Sequence, residues 1–404
     1  MEVKIMEKIG VCCEYKHRNY GSMLQALATV LQLEKLGYDY EIINYTRKLT
    51  PDLLIRSLAR IPEEIHILLR RYIQLQKRKK HPEVEHAIHL RDQLFKEFST
   101  RHFTKISEPF DTFSQLQSAA ASYSAVMVGS DQLWVPRGYS TGFFNLLFVP
   151  ENIPKIAYAT SFGVSEIPES KRKIAKRFLE RIDYIGVREI RASEIVKELT
   201  GRDVPTVVDP TLLLSGEEWE KIIPVSQVKG MTEEKYIFCY FLGNNPEQRR
   251  EAEKLSRETG YRIVFIPHLD EFISSDMGFG DEQLFEIDPE GFVNLIRKAE
   301  FICTDSFHGS VFSILNHKRF ITFERFKNDD KNSRNSRIIS LLSQTGLTDR
   351  RFQGDILSQM FKPIDYNLVE EKIEEMRKKS LEYLSDALLQ SVGSKGKEND
   401  TDYE

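Results

Sequence analysis

The sequence has few cysteines and no long apolar run. Its 404 residues include four cysteines, and no Cys-x-x-Cys spacing occurs among them. This argues against a zinc site or a disulfide framework, and we expect buried thiols in a reducing compartment. The amino-terminal segment lacks the apolar core of a signal peptide, and no run approaches the ~18 apolar residues of a membrane span. We therefore expect a cytoplasmic protein.

A large charge excess and a nucleotide-binding glycine motif are also missing. The formal net charge is -4, so a general attraction to nucleic acid is not expected. No G-x-G-x-x-G pattern occurs at the first strand-to-helix turn, so a dinucleotide cofactor is not indicated. The composition, 41% hydrophobic and 29% charged, is typical of a folded chain, and the length allows two or three domains.

Strand and helix patterns alternate from the start of the chain. A strand over 8–14, a helix over 22–36 and a strand over 41–45 form a βαβ unit, which predicts a parallel sheet. Ligands of such sheets bind beyond the carboxyl ends of the strands. The first such loop places three residues there: Asn19, Tyr20 and Gly21.

The alternation restarts after an irregular polar segment near 215–235. We predict an amino-terminal α/β domain over 1–215 and a carboxyl-terminal α/β domain over 216–365, with a cleft between them. A final helix is expected over 366–391, and the polar segment 392–404 is expected to be disordered.

A basic helical insertion is predicted over about 47–105. This segment carries fourteen Lys and Arg against seven Asp and Glu, a net charge of +7. Its densest part contains Arg70, Arg71 and the run 77–80. A solvated helix face explains such a run, and the alternative is peripheral contact with an anionic inner-membrane surface or a lipid-linked acceptor.

A second polar loop follows the strand pattern over 123–128. It begins Gly129-Ser130-Asp131-Gln132-Leu133-Trp134. Small residues, an acid and an aromatic ring at the carboxyl end of a strand are typical of a sugar-facing loop. An Asp-capped turn with Trp134 packed inside explains the same pattern, and the sequence leaves both open.

A third strand, loop and helix occupy Phe301 to Leu315. Ser306, His308, Gly309 and Ser310 lie where a helix begins, and unpaired N–H groups and the helix dipole favour an anion there. His308 has the side chain that titrates nearest neutral pH. The alternative is that Asp305 or Ser306 caps the helix and His308 is a surface residue.

Taken together, these segments resemble the polysaccharide pyruvyl transferase family. The resemblance runs from about residue 9 to 350. It is carried by six segments: Asn19 to Leu27, Val128 to Trp134, Ile185 to Glu189, Val207 to Thr211, Thr304 to Ser310 and Asn335 to Ile338. It implies a GT-B-like α/β fold with two Rossmann-like domains facing a cleft. It also implies transfer of pyruvate from phosphoenolpyruvate to a sugar or lipid-linked oligosaccharide, as a ketal.

The same resemblance implies roles for individual residues. In such enzymes an arginine and the histidine of the last loop contact the donor, and by motif these are Arg188 and His308. We assign Gly309, Ser310 and Arg337 to the donor site as well. Arginine suits phosphoenolpyruvate because its paired N–H groups match either the phosphate or the carboxylate. The expected acceptor site consists of Asn19, Tyr20, Gly21, Ser130 and Trp134.

For the chemistry, His308 is either the acid that protonates the methylene carbon of the donor or only a phosphate ligand. Asp131 or Asp305 would take the proton of the sugar hydroxyl. Phosphate can leave without a metal, so we expect neither a metal requirement nor a cofactor. Two other functions fit the same pattern: a GT-B glycosyltransferase using a nucleotide sugar, and a non-catalytic glycan-binding protein.

Overall fold

Two parallel sheets of five strands form the framework of the protein. A computed structural model describes residues 7–46, 82–228, 234–268, 273–325 and 335–398, together with residues 69, 72–74, 76 and 231. The first sheet is built from strands before residue 190 and the second from strands after residue 235. The α/β class predicted from the sequence is confirmed.

The first half of the chain builds the first sheet. Its elements are β1 (Lys8–Cys12), α1 (Tyr20–Lys35), β2 (Asp39–Ile42), α2 (Pro82–His102), α3 (Phe113–Ala120), β3 (Ala125–Val128), β4 (Lys155–Thr160), α4 (Glu169–Arg181), β5 (Tyr184–Val187) and α5 (Ile190–Thr200). The strand order is β2-β1-β3-β4-β5, and every neighbouring pair is parallel. β3 and β4 are buried along their whole length, because helices cover both faces of a parallel sheet.

The second half repeats this plan. Its elements are α6 (Gly216–Ile222), β6 (Tyr236–Tyr240), α7 (Pro246–Thr259), β7 (Arg262–Phe265), β8 (Glu282–Gln283), α8 (Pro289–Lys298), β9 (Phe301–Thr304), α9 (Phe307–Leu315), β10 (Arg319–Thr322), α10 (Asn335–Thr345), α11 (Ile356–Phe361) and α12 (Tyr366–Glu398). The strand order is β10-β9-β6-β7-β8, again with parallel pairs.

Each sheet has one point where the winding direction reverses. In the first sheet the reversal lies between β1 and β3, and in the second it lies between β6 and β9. The loops that leave such a pair of strands diverge to opposite faces, which opens a crevice at their carboxyl ends. The two crevices are the places where each half is expected to bind ligands.

The last helix returns to the first half. Its Arg377 Nε donates to the carbonyl oxygen of Leu212 at 2.8 Å, and the hydroxyl of Tyr383 donates to that of Ala157 at 3.2 Å. The helix continues to Glu398, so it includes residues 392–398, for which the sequence predicted disorder. The remaining residues 399–404 lie outside the described part of the chain.

The described part of the predicted insertion is a connecting helix. α2 begins at Pro82, and its Arg91 Nη1 donates to the carbonyl oxygen of Pro267 in the second half at 3.1 Å. Phe95 and Phe98 of the same helix are buried. α2 therefore joins the two halves, while most of the basic run, residues 70, 71 and 77–80, lies outside the described residues.

No helix within the described ranges combines the length and the apolar character needed to cross a bilayer.

Candidate functional site

A cavity of about 480 Å³ lies where the crevices of the two sheets face each other. The first half contributes side chains from the loops after β1 and β3: Glu14, His17, Asn19, Ser22, Asp131, Gln132, Leu133, Val135 and Arg137. The second half contributes the remaining side chains: Leu242, His268, Ser306, Phe307, His308, Arg325 and Arg337. The cavity is therefore lined by both halves and is rich in cationic side chains.

Two helices begin at the cavity wall. The Asn19 side chain caps α1 by accepting from the Ser22 N–H at 3.1 Å, and Ser306 caps α9 by accepting from the Gly309 N–H at 3.2 Å. Both N-termini carry the positive end of a helix dipole. One dipole comes from each half of the chain, so the cavity favours an anion even before side-chain charge is considered.

His308 is held in place by contacts on both sides of its ring. The residue is 6% exposed, and its Nε2 lies 3.5 Å from Oδ2 of Asp209. Its other side is packed against Gly21, where an added Cβ would lie only 1.9 Å from Nδ1. The close approach requires glycine at position 21, and it joins the first loop of the chain to the last motif.

Asp209 connects His308 with Arg188. Its Oδ2 accepts from Nη1 of Arg188 at 2.7 Å and from Oγ of Ser130 at 2.9 Å, and its Oδ1 accepts from the Thr211 hydroxyl at 2.7 Å. Burial raises the pKa of Asp209, but His308 and Arg188 outweigh that effect and lower it well below its usual range. The residues predicted to meet across the cleft, Arg188 and His308, therefore meet on one buried carboxylate.

Arg337 lines the cavity, and its guanidinium is buried. It is 6% exposed, and it makes no ion pair or hydrogen bond with any residue that the structure describes. Its guanidinium lies 5.9 Å from the centre of the Phe307 ring. Burial and the nearby charge of Arg188 lower the pKa of Arg337 to about 9. A buried guanidinium that lines a cavity and has no ion pair with a described residue is well suited to bind an anionic ligand.

Asp131 lines the cavity in a strained conformation, and its Oδ1 lies 3.5 Å from Nη2 of Arg188. Its φ is +81°, which is uncommon for a residue with a side chain, and its Oδ2 accepts from Oγ of Ser22 at 2.6 Å. Burial raises the pKa of Asp131, but Arg188, His308 and Ser22 outweigh it and lower the pKa to about 2. The carboxylate is therefore charged throughout the neutral range and is a strong hydrogen-bond acceptor.

The lowered pKa of Asp131 should make the stability of the folded protein depend on pH in the acid range. An aspartate in an unfolded chain has a pKa near 4, so the unfolded state takes up this proton first as the pH falls. The stabilisation from Asp131 is complete above about pH 4 and is lost as the pH falls through about 2. Between about pH 5 and pH 2 we expect wild type to lose about 2 kcal/mol more unfolding free energy than Asp131→Asn.

Urea unfolding across this pH range measures the difference. Asp203→Asn, at an exposed aspartate paired with Lys197, is the matched control and should keep the pH dependence of wild type. Equal slopes for wild type and Asp131→Asn would show that the carboxyl is not held in its charged form.

Two aromatic residues expected at the acceptor site are core residues instead. Trp134 is fully buried, and its Nε1 donates to the carbonyl oxygen of Phe144 at 3.1 Å. Tyr20 is stacked on Phe292 with ring centres 4.8 Å apart, and its hydroxyl donates to the carbonyl oxygen of Ile287. The prediction that these rings face a sugar is wrong, because both are needed to pack the interior.

Four other predicted residues lie behind the cavity wall. Asp305 is fully buried, and its carboxylate accepts from the N–H groups of Leu242 and Gly243 at 2.7 and 2.8 Å, so it does not face the cavity as a base. Ser310, Gly309 and Ser130 are buried too, and the two hydroxyls make internal hydrogen bonds. These positions support the site and do not line it.

Arg188 is also absent from the wall. It is 4% exposed and lies 4.6 Å from the centre of the Phe307 ring, behind the residues that line the cavity. Sequence reasoning missed Asp209 and Ser22 as site residues. Both occur in the motifs that carry the family resemblance, and Asp209 directly follows a strand-like run, which is the signal that could have found it.

The sequence is similar to one known protein family. The sequence model of the polysaccharide pyruvyl transferase family matches residues 19–327, about three quarters of the chain. No curated protein matches the sequence. The matched region contains His308, Asp209 and Asp131, while Arg337 lies just beyond it.

Solved structures with a similar fold include two UDP-N-acetylglucosamine 2-epimerases. The enzyme of Methanocaldococcus jannaschii, in complex with UDP-GlcNAc and UDP, has a TM-score of 0.50 and 13% identity over 95% of this chain and 100% of that one. A putative epimerase of Listeria monocytogenes has a TM-score of 0.50 and 10% identity over 94% and 90%. At such identities the likeness shows the fold alone, which is GT-B-like as expected.

Proposed function

The chain belongs to the polysaccharide pyruvyl transferase family, and on that premise we propose that it transfers pyruvate from phosphoenolpyruvate to a sugar. The acceptor is a sugar of a bacterial polysaccharide or of its lipid-linked precursor, and the product is a ketal bridging two hydroxyls. Arg337 is the observation that carries the proposal, since its buried guanidinium has no hydrogen-bond or ion-pair partner among the described residues, and such a group favours an anion.

Phosphoenolpyruvate suits the cavity because it carries two anionic groups on a three-carbon skeleton. Arg337 can donate two parallel N–H groups to one of these anionic groups. The N-terminus of α9, together with His308, can bind the other anionic group. Arg188 lies behind them and fixes Asp209, which in turn faces the His308 ring. We therefore propose Arg337 and His308 as the donor contacts and Arg188 as a residue that positions them.

The reaction can be written with residues that the cavity contains. His308 gives a proton to the methylene carbon of the donor, which leaves cationic character on the adjacent carbon. A sugar hydroxyl attacks that carbon and loses its proton, and the carbon–oxygen bond to phosphate then breaks with its electron pair. A second hydroxyl closes the ketal and gives up its proton. Of the two released protons, one leaves with the phosphate and the other returns to His308 by way of Asp131 or solvent.

Asp131 is the proposed acceptor of the first hydroxyl proton. A carboxylate with a pKa of about 2 is a weak base towards a free hydroxyl. Once the hydroxyl oxygen has bonded to carbon, however, it is a strongly acidic oxonium, and a weak base suffices to remove its proton. The hydrogen bond from Ser22 fixes the carboxylate for this role.

Replacing Arg337 with Met tests the donor site. A charge-assisted hydrogen bond contributes about 1.5–3 kcal/mol, so affinity for phosphoenolpyruvate should fall roughly 10- to 150-fold. The unliganded variant should be as stable as wild type or more stable by about 1 kcal/mol, because a buried charge without an ion pair is removed. Titration calorimetry and thermal unfolding measure the two effects, with exposed Arg250→Met as the control.

A thermal-shift comparison separates the proposed donor from nucleotide sugars. Phosphoenolpyruvate should raise the melting temperature of wild type and of Arg250→Met but not of Arg337→Met. Because we propose no metal or cofactor requirement, the buffer contains a chelator throughout. Stabilisation by UDP-glucose or UDP-N-acetylglucosamine, without any response to phosphoenolpyruvate, would point to the glycosyltransferase alternative.

A further inference from the structure

A second, smaller groove opens beside the cavity, and we propose that it binds the next sugar residue of the acceptor glycan. Its volume is about 220 Å³, the size of a single sugar ring. The groove lies at the carboxyl ends of β1 and β2 and includes rings from Tyr15, Tyr45, Phe143 and Phe144. This inference rests on the proposed function, because it takes the acceptor to be a glycan.

The lining of the groove combines flat rings with polar edges. Tyr45 and Phe144 are half-buried, and the Phe143 ring supports both, with ring centres 5.3 Å from Tyr45 and 4.9 Å from Phe144. The C–H face of a sugar packs well on such rings. Glu14, Lys16 and Thr46 line the same groove, and hydrogen bonds to Asn44 and Asp111 hold the Lys16 and Thr46 side chains in place. The Lys16 ammonium has further N–H donors that a sugar hydroxyl can accept from.

The charged side chains at the rim also bear on the occupant. Glu14 and Lys16 line the groove beside the aromatic rings. Their charges suit a polyhydroxylated ring better than an apolar lipid chain.

The groove adjoins the cavity at one shared residue. Glu14 lines both spaces, and it lies two residues beyond the end of β1, where the acceptor side of the cavity begins. A terminal sugar with its hydroxyls at Asp131 therefore places its glycosidic neighbour along this wall. The groove supplies the aromatic contact that Tyr20 and Trp134 do not provide.

Binding of matched sugar pairs tests the groove. The probes are methyl β-glycosides of glucose, galactose and N-acetylglucosamine, each compared with cellobiose, lactose or N,N′-diacetylchitobiose, which carry the same terminal sugar. Affinities are measured by saturation-transfer NMR with wild type, Tyr45→Ala and Phe144→Leu, which keeps apolar bulk without a ring. Phe361→Ala, at an exposed ring on α11, is the control.

At least one disaccharide should bind wild type and Phe361→Ala about tenfold more tightly than its monosaccharide glycoside. This advantage should fall to within about twofold in Tyr45→Ala and in Phe144→Leu. The proposal is overturned if no disaccharide has an advantage on wild type, or if the advantage survives both groove variants. Phosphate release from phosphoenolpyruvate in the same samples reports separately on the proposed reaction, so a disaccharide preference without phosphate release would reject only the transferase activity.

Discussion

His308→Gln is expected to lower the rate of pyruvyl transfer by roughly 10²–10⁴-fold, the usual contribution of a positioned acid–base group. Glutamine can still donate a hydrogen bond to a phosphate oxygen, but it cannot give a proton to carbon. The loss should therefore appear in kcat, while affinity for phosphoenolpyruvate changes by only a few-fold. Phosphate release under saturating donor measures the rate, and calorimetry measures the affinity.

The matched control is a histidine remote from the cavity. His317 follows the end of α9, is half-exposed at its side chain, and has Nε2 2.9 Å from Oε1 of Glu370. His317→Gln should leave both kcat and donor affinity unchanged. If His308→Gln kept activity within a few-fold of wild type, His308 would be a phosphate ligand only, and the acid would have to be sought elsewhere in the cavity.

The parts of the fold that follow from local pattern were predicted well. The alternation of strand and helix, and the principle that loops at the carboxyl ends of parallel strands converge, suffice to bring Asn19, Asp131 and His308 to one region. All three line the cavity. That result needs only the position of a residue along its strand or loop, which a sequence records directly.

The direction of a side chain is what the pattern leaves undetermined. Asp131 and Asp305 both follow a buried strand, yet one faces the cavity and the other accepts hydrogen bonds from two backbone N–H groups. Trp134 is three residues beyond Asp131 and points into the core. These outcomes depend on partners from distant segments, so strand-end position alone could not separate them.

For the same reason, the sequence did not identify Asp209 as the central carboxylate of the site. Asp209 acts through Arg188 and His308, which lie 21 and 99 positions away along the chain. A motif shows that each of them is present, but only the packed structure shows that all three share one buried contact. Arg337 was expected at the donor site beside Arg188. Arg188 pairs with Asp209, whereas Arg337 has no ion pair with any described residue, and this difference distinguishes the two.

Gly21→Ala should be nearly as damaging as the loss of His308 itself, although the added group is one methyl. The new Cβ would lie 1.9 Å from Nδ1 and 2.3 Å from Cγ of the imidazole, so the ring must move. The backbone cannot easily yield, because Tyr20 beside it is stacked on Phe292 in the core. A displacement of about 1 Å in a catalytic group can cost on the order of 10²-fold in rate.

A double-mutant cycle shows whether the effect acts through the imidazole. In a His308→Ala background the clash is removed, so adding Gly21→Ala should change neither donor affinity nor melting temperature appreciably. In the wild-type background it should lower kcat on the order of 10²-fold and destabilise the fold by about 1–3 kcal/mol, as overpacking does.

Gly393→Ala provides the matched control for the glycine substitution. Gly393 is exposed on α12, and an added Cβ there meets nothing within 4 Å, so activity and stability should be retained. If Gly21→Ala lowered stability and donor affinity equally with and without the His308 imidazole, the loss would arise from a disturbed first turn of α1. The first loop of the chain would then not position His308, and the contact between the two halves would have a purely structural role.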